Sequence, residues 1–372
     1  MRCNLKEGKS MCSRYFLTLV AITLLYIAFF TQYSIERTYT LYETRGNYGI
    51  DTEIFYQSFL STINGNGFFY NDHEYRRFGA TSHFGVHNSP ILLLILPIFA
   101  LFPHIETLLV IQTLAIALSI LAFFKFSQSF LDERQAFILS LIYALNPMLH
   151  GINRFEFHAV SLALPFIFMF AYFYERENLK LAIISAFLVL AVREDSFLII
   201  LSIMALKMLR KGIQLNPADM GLLALSLIWP VLGIFFVIPH FAPGYPHMSN
   251  YVLGIPYPYL SLMLVIALFL SFGLVPLFKS KYLLPAIPLL LELVLSKRFQ
   301  YVVFWNHYCY MIVPYFAIIT AYIVKEHELT VKTLIYALFI TILTFLVSSP
   351  AIYEGLCLVF NIRPPQEFLA FY

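Results

Sequence analysis

Four short stretches of this chain hold residue types that can do chemistry, and each lies beside a run that is almost wholly apolar. HGINRFEFHA (150–159) places His150, Arg154, Glu156 and His158 together, and GIDTEIF (49–55) carries Asp51 and Glu53. SHFGVHNSP (82–90) carries His83 and His87, and LAVREDSFL (190–198) carries Arg193, Glu194 and Asp195. Carboxylates can take a proton, arginines present a planar fork that suits phosphate, and histidines serve as acid, base, donor or metal ligand. Each of these residues also has a plainer use. Asp51 or Thr52 can cap a short amphipathic helix from about Asp51 to Ile63, which NGNG (64–67) would end, or Asp51 can act as a general base. His83 and His87 are four apart and would share a helix face, yet two histidines without a third placed ligand are a weak metal signal. They can equally donate hydrogen bonds to an anionic group or to Asp51, or serve packing alone. Asp195 either caps a helix beginning at Ser196, the favoured reading, or orients Arg193 together with Glu194.

The elements that must position these residues belong to a membrane. Sixty per cent of the 372 residues are hydrophobic and 12% are charged, about half the charged fraction of a soluble domain. A soluble fold could not cover that much apolar surface. The net charge of +3 is too small and scattered for a nucleic-acid partner. Cys3, Cys12, Cys309 and Cys357 show no paired spacing, so neither a disulfide framework nor a cysteine metal site is indicated.

An apolar run at 15–33 follows Arg2, Lys6, Lys9 and Arg14 and reads as an uncleaved first span. Further runs lie at 89–103, 105–124, 135–149, 159–174, 180–192, 196–209, 219–239, 258–278, 282–295, 308–324 and 333–350. The segment 89–103 is short and contains Pro90, Pro97 and Pro103, so it is expected to lie on the outer surface or to be re-entrant. With that assignment, 15 of the 24 Lys and Arg fall on the cytoplasmic side, as the positive-inside rule requires. The expectation is therefore an all-α, polytopic bundle of about eleven spans plus one outer interfacial helix, N-terminus cytoplasmic and C-terminus outside. Residues 1–350 form a single membrane domain with 34–104 as its first outer loop, and 351–372 form a short outer tail. Every chemistry-bearing stretch then falls on the outer side, in 34–104, 150–158, 193–195, 240–257 and 296–307. The runs 135–149 and 180–192 offer roughly 20 Å of helix against a hydrocarbon core of about 30 Å, which sets Glu156, His158 and Arg193 below the outer surface in a water-accessible cavity.

The order of these parts resembles the GT-C superfamily of membrane glycosyltransferases. More closely, GIDTEIFYQSF, HFGVHNSPILLLILPIFALFP, ALNPMLHGINRFEFHAVSLALP and LAVREDSFL are similar to motifs of the prokaryotic membrane-protein family DUF2079, over roughly residues 45–350. The resemblance implies a GT-C-type bundle in a prokaryotic plasma membrane that transfers a sugar from a polyprenyl or dolichyl phosphate donor. It implies Asp51 as the catalytic carboxylate, with Glu53 as the alternative, and Glu156 as the second outer-loop acid. His83, His87, Arg154, His158, Arg193, Glu194 and Asp195 would bind substrate. The DxD pair of metal-dependent members is lacking, so a divalent metal is possible but not indicated. A non-catalytic transporter, or a lipid-binding or scaffolding protein on the same fold, is the competing reading.

Overall fold

The computed structural model describes residues 13–213 and 216–350, with Ile352 and Glu354. The basic cluster at 2–9 and the rest of the expected outer tail at 351–372 lie outside the described residues. The regular secondary structure among the described residues is helical, apart from an isolated antiparallel bridge between Tyr251 and Ser296.

The first helix, α1 (Arg14–Arg45), is followed by α2 (Ile50–Ile63), α3 (Asp72–Phe78) and α4 (Leu92–Leu101). Then come α5 (Ile105–Gln128), α6 (Glu133–Ala144), α7 (Pro147–Arg154), α8 (Ala163–Glu175), α9 (Leu179–Leu190) and α10 (Phe197–Lys211). The last six are α11 (Pro217–Leu232), α12 (Ile238–Phe241), α13 (Pro258–Ser271), α14 (Ile287–Val294), α15 (Ile312–Glu326) and α16 (Val331–Ser348).

Apolar character sorts the helices into a centre and a rim. Helix α15 is buried at every position from Ile312 to Val324, as a helix that is apolar all round should be. It packs with α5 and α8 at the middle of the bundle. Helices α1 and α16 lie outside and leave Leu24, Leu25, Phe29, Phe339, Leu343 and Val347 exposed. In a membrane those side chains meet lipid rather than water.

Five helices are long and apolar enough to span, and six if α6 and α7 together count as one span bent by 49°. The expectation of eleven spans is larger because it counted every apolar run but 89–103. Runs such as α8, α9 and α13 form helices of 12 to 14 residues, short of the ~20 residues that cross a hydrocarbon core unaided. The run 282–295 is not one helix. Past Gly273 and Leu274, both at positive φ, the chain enters a 3-10 stretch over Val275–Ala286 that kinks at Lys279, and only Ile287–Val294 is α-helical. The proline-rich segment 89–103 forms the ten-residue α4, whose Phe99 packs against Tyr56 and Phe59 of α2 while Leu94 and Leu101 stay exposed.

The break between α6 and α7 follows from ALNP (144–147). Pro147 cannot continue α6, and Asn146 starts the next helix by accepting a hydrogen bond from the Met148 N–H at 2.9 Å. Helix α7 then delivers Phe155–His158 as extended chain across the end of the bundle. The small Gly151 lets α7 press against the backbone of Trp305, where a Cβ would sit 2.6 Å from the Trp305 Cα.

Candidate functional site

One cavity of about 380 Å³ opens at this end of the bundle, within the usual range for a small-ligand site. All five connections expected to share a side contribute to its wall: Asp51, His83 and His87 from the first, His158 from the second, and Arg193 from the third. His247 comes from the fourth, and Arg298 and Tyr301 from the fifth, with Tyr308 just beyond it. At the opposite end, Arg210 pairs with Glu175 and Glu326, Lys211 with Glu175, and Lys279 with Glu326. The basic turns thus gather at one end and the chemistry-bearing connections at the other.

Asp51 stands in the first turn of α2. Gly49, at φ +93°, is the N-cap, so neither Asp51 nor Thr52 caps this helix by its side chain. The cap comes from elsewhere in the chain. Glu156 Oε2 accepts hydrogen bonds from the Asp51 N–H at 2.5 Å and the Thr52 N–H at 3.3 Å, and the Thr52 hydroxyl accepts from the Phe157 N–H. A carboxylate at a helix N-terminus meets both orphan donors and the positive end of the dipole. Only glycine tolerates position 49, because a Cβ there would collide with the Glu156 carboxyl group. Glu156 is therefore a buried support behind Asp51, not part of the cavity wall. Burial pushes the Asp51 carboxyl up to about 7, with the Glu156 and Glu74 charges adding and His83 and Arg298 opposing. Burial likewise raises Glu156, against Arg37 and the two N–H donors.

Carboxylates also orient the histidines of the first connection. His83 Nδ1 lies 2.9 Å from Glu74 Oε1, and His87 Nδ1 lies 3.0 Å from Glu194 Oε1. The two rings are 6.0 Å apart, although His83 sits in a short 3-10 turn rather than on a shared α-helical face. Glu194 further accepts from the Asn88 N–H and the Tyr245 hydroxyl, so it ties three connections together from beneath the cavity.

Arg193 is buried and already balanced. Asp195 accepts from both its Nε and its Nη2, Glu292 Oε1 lies 3.1 Å from Nη2, and Tyr308 and Tyr310 flank the guanidinium. Burial acts to raise the Asp195 carboxyl, but Arg193 overrides it and holds it well below the usual carboxylate range. Asp195 thus braces Arg193, and its expected role as a helix cap is corrected: the 3-10 turn Glu194–Ser196 leads into α10 with no side-chain cap. Arg77 and Arg298 line the cavity and form no ion pair among the described residues, so their charge is available to an anion.

Two expected site residues lie elsewhere. Arg154 is buried away from the cavity and pairs with Glu354, which Tyr33 also reaches. Glu53 turns from the cavity to accept from the Tyr48 N–H, with His73 Nε2 at 3.3 Å.

Residues outside the expected site set join it: Glu74 and His247 line the cavity, as does Arg298, which the sequence offers beside Lys297 as a cation for a phosphate, while Tyr245, Glu292 and His307 contact residues of the wall. The His307 ring stacks on His158 at 3.9 Å, and His247 stacks on His87 at 4.6 Å. Burial lowers His158, with the charges of His307 and Arg193 adding to it. Burial also brings His247 down to about 2, reinforced by His87 and Arg298, so both rings are neutral. His83 Nε2, His158 Nδ1, His247 Nε2 and both nitrogens of His307 are buried without a hydrogen-bond partner. Each such atom costs about 1–3 kcal/mol; His83, His158 and His247 line the cavity, and His307 stacks on His158. A carboxylate oxygen of Asp51 and one nitrogen each of His158 and His307 all lie within 4.8 Å of one another.

A family model of predicted membrane proteins, DUF2079, matches residues 37–368. The chain belongs to the DUF2079 family. No curated protein and no solved structure matches it. The match runs through all five connections of the cavity, so the site lies within the DUF2079 region.

Proposed function

We propose that this DUF2079 protein is a membrane glycosyltransferase of the GT-C type, with the cavity as its active site at the extracytoplasmic end of the bundle. One observation carries the reading: Asp51 stands in a cavity whose other walls present Arg77, Arg193 and Arg298. A carboxylate facing cations across a space of this size suits an anionic donor and a neutral acceptor. The donor is a polyprenyl or dolichyl phosphate sugar, its lipid along the bundle and its phosphate against Arg298 and Arg77. Asp51 takes the proton from the acceptor hydroxyl as the new bond to the anomeric carbon forms. The bond from that carbon to the phosphate oxygen breaks, and its electron pair leaves with the phosphate. Inversion follows from the single displacement.

The topology that goes with this reading has the N-terminus in the cytoplasm, where the ion-paired basic end of the bundle also lies. The short helices around α9 and α13 complete further crossings by pairing with their neighbours rather than by length.

Purified full-length protein is tested with a panel of radiolabelled polyprenyl-phosphate sugars against Asp51→Asn. Transfer by the wild type and its loss in the variant is expected. Equal transfer by both removes Asp51 as the base, and labelling of Glu156 from the cytoplasmic side would overturn the topology.

A further inference from the structure

We propose that Asp51 and His158 of the cavity wall, together with His307 stacked on His158, bind one divalent transition-metal ion of the zinc type. The inference goes beyond the transferase reading, because it concerns what these side chains hold and stands whether or not a sugar is transferred.

The donor set comes first. One carboxylate oxygen and two imidazole nitrogens, each within 4.8 Å of the others, are the ligands of a catalytic zinc site, which uses three protein groups and leaves a fourth position open. Imidazole selects zinc, copper, nickel or iron, whereas magnesium and calcium prefer oxygen donors. The unused bonding capacity is independent of that grouping. His307 is 2% exposed and neither of its ring nitrogens has a partner, and His158 Nδ1 has none. A buried imidazole with both nitrogens idle is unexpected in a packed core, and a bound ion uses one of them.

The backbone holds the three residues in place before any ion arrives. Glu156 fixes the turn that carries Asp51, the His158 N–H donates to Gln112 Oε1 at 2.8 Å, and the His307 N–H donates to Asn306 Oδ1 at 2.7 Å. The rings of His158 and His307 lie nearly parallel, 16° apart, so their lone pairs do not converge as they stand. Binding therefore requires one of the rings to turn about χ2. Metal–ligand bonds of about 2.0–2.2 Å set the donor atoms roughly 3.3 Å apart, so the side-chain tips close by about an ångström on binding. Asp51 ligates through one oxygen and keeps the other for a substrate proton. The open position faces the cavity, where a hydroxyl or a phosphate oxygen can enter. Sequence motifs do not reveal such a site, because its three ligands come from three separate connections.

The test uses the full chain in detergent, stripped with a chelator and titrated with Zn²⁺ by calorimetry, with Co²⁺ as a visible reporter and Mg²⁺ as the control. One equivalent of Zn²⁺ per chain is expected, with cobalt d–d bands that Zn²⁺ abolishes and Mg²⁺ does not. Asp51→Asn, His158→Gln and His307→Gln should each weaken Zn²⁺ binding by at least about 100-fold, more than loss of an outer-shell partner usually does. His327→Ala, at the other end of the bundle, should leave binding unchanged. Size-exclusion profile and thermal midpoint establish that each variant is folded, and Asp51→Glu should retain the ion. A folded wild type that binds no stoichiometric Zn²⁺ overturns the proposal, as does unchanged binding in the two histidine variants. Zinc binding without sugar transfer leaves it standing and removes only the transferase reading.

Discussion

Replacing Glu156 by alanine tests how the site is held together. The carboxylate accepts from the N–H groups of Asp51 and Thr52 and supplies the cap that Gly49 lacks. Glu156→Ala strands two donors in a buried place, at about 1–3 kcal/mol each, and removes about 0.3–1 kcal/mol of dipole interaction. Some relaxation of the helix end recovers part of this, so a net loss of about 3 kcal/mol is expected for the local structure. Every 1.4 kcal/mol is a factor of ten, so the first turn of α2 should open about 100-fold more often. Hydrogen–deuterium exchange of the protein in detergent reads this directly: amides from Asp51 to Phe55 should exchange about 100-fold faster, while those of α15 stay protected. Glu156→Gln keeps an acceptor and loses only the charge, so it should fall between the two, at roughly tenfold. If Glu156→Ala left exchange of the α2 N-terminus within a factor of two of wild type, the cap argument would be wrong. Asp51 would then owe its position to packing by Phe55 and Phe59.

Gly49→Ala should mimic that variant, because its Cβ displaces the same carboxyl group and φ +93° disfavours a side chain by about 1 kcal/mol or more; the same amides report it, and an unchanged pattern would refute the collision. Asp195→Asn leaves the buried Arg193 with Glu292 alone, and breaking such a pair costs about 3–5 kcal/mol. The thermal midpoint in detergent should drop by several degrees, whereas an unaltered midpoint would show that Glu292 suffices. Asn146→Ala removes the cap at the bend between α6 and α7 and should cost about 1 kcal/mol, seen as faster exchange confined to Met148–Gly151.

The transferase reading and the metal site share Asp51, and the two are chemically compatible. An ion held by Asp51, His158 and His307 would make a bound acceptor hydroxyl more acidic, and Asp51 would remain the group that takes its proton. The rest of the cavity divides the labour. Glu156 and Glu194 orient groups from behind, Glu74 orients His83 from within the wall, Asp195 and Glu292 hold Arg193, and Arg77 and Arg298 form no ion pair among the described residues. Acids that look alike in sequence therefore do different work according to which side of the wall they stand on.

Composition alone determined that this is a helical membrane protein, because 60% hydrophobic and 12% charged residues leave no soluble alternative. The stop of α2 at NGNG was also legible, since local glycine and asparagine chemistry sets it, whereas the cap at its start comes from the distant Glu156 and not from Asp51 or Thr52. Of Asp51, His83, His87, Glu156 and Arg193, which the sequence leads one to expect in one cavity, all but Glu156 stand in its wall, because charge in connections between apolar runs has only the bundle ends to occupy. What the tertiary structure alone decided is the direction each side chain takes. That Glu156 caps α2, that Arg154 turns to Glu354, and that His307 stacks on His158 depend on contacts between residues more than 100 positions apart. No local periodicity encodes those contacts. They exist only once helix packing has set the distances, and a rotation of a few ångströms would pair the same residues differently.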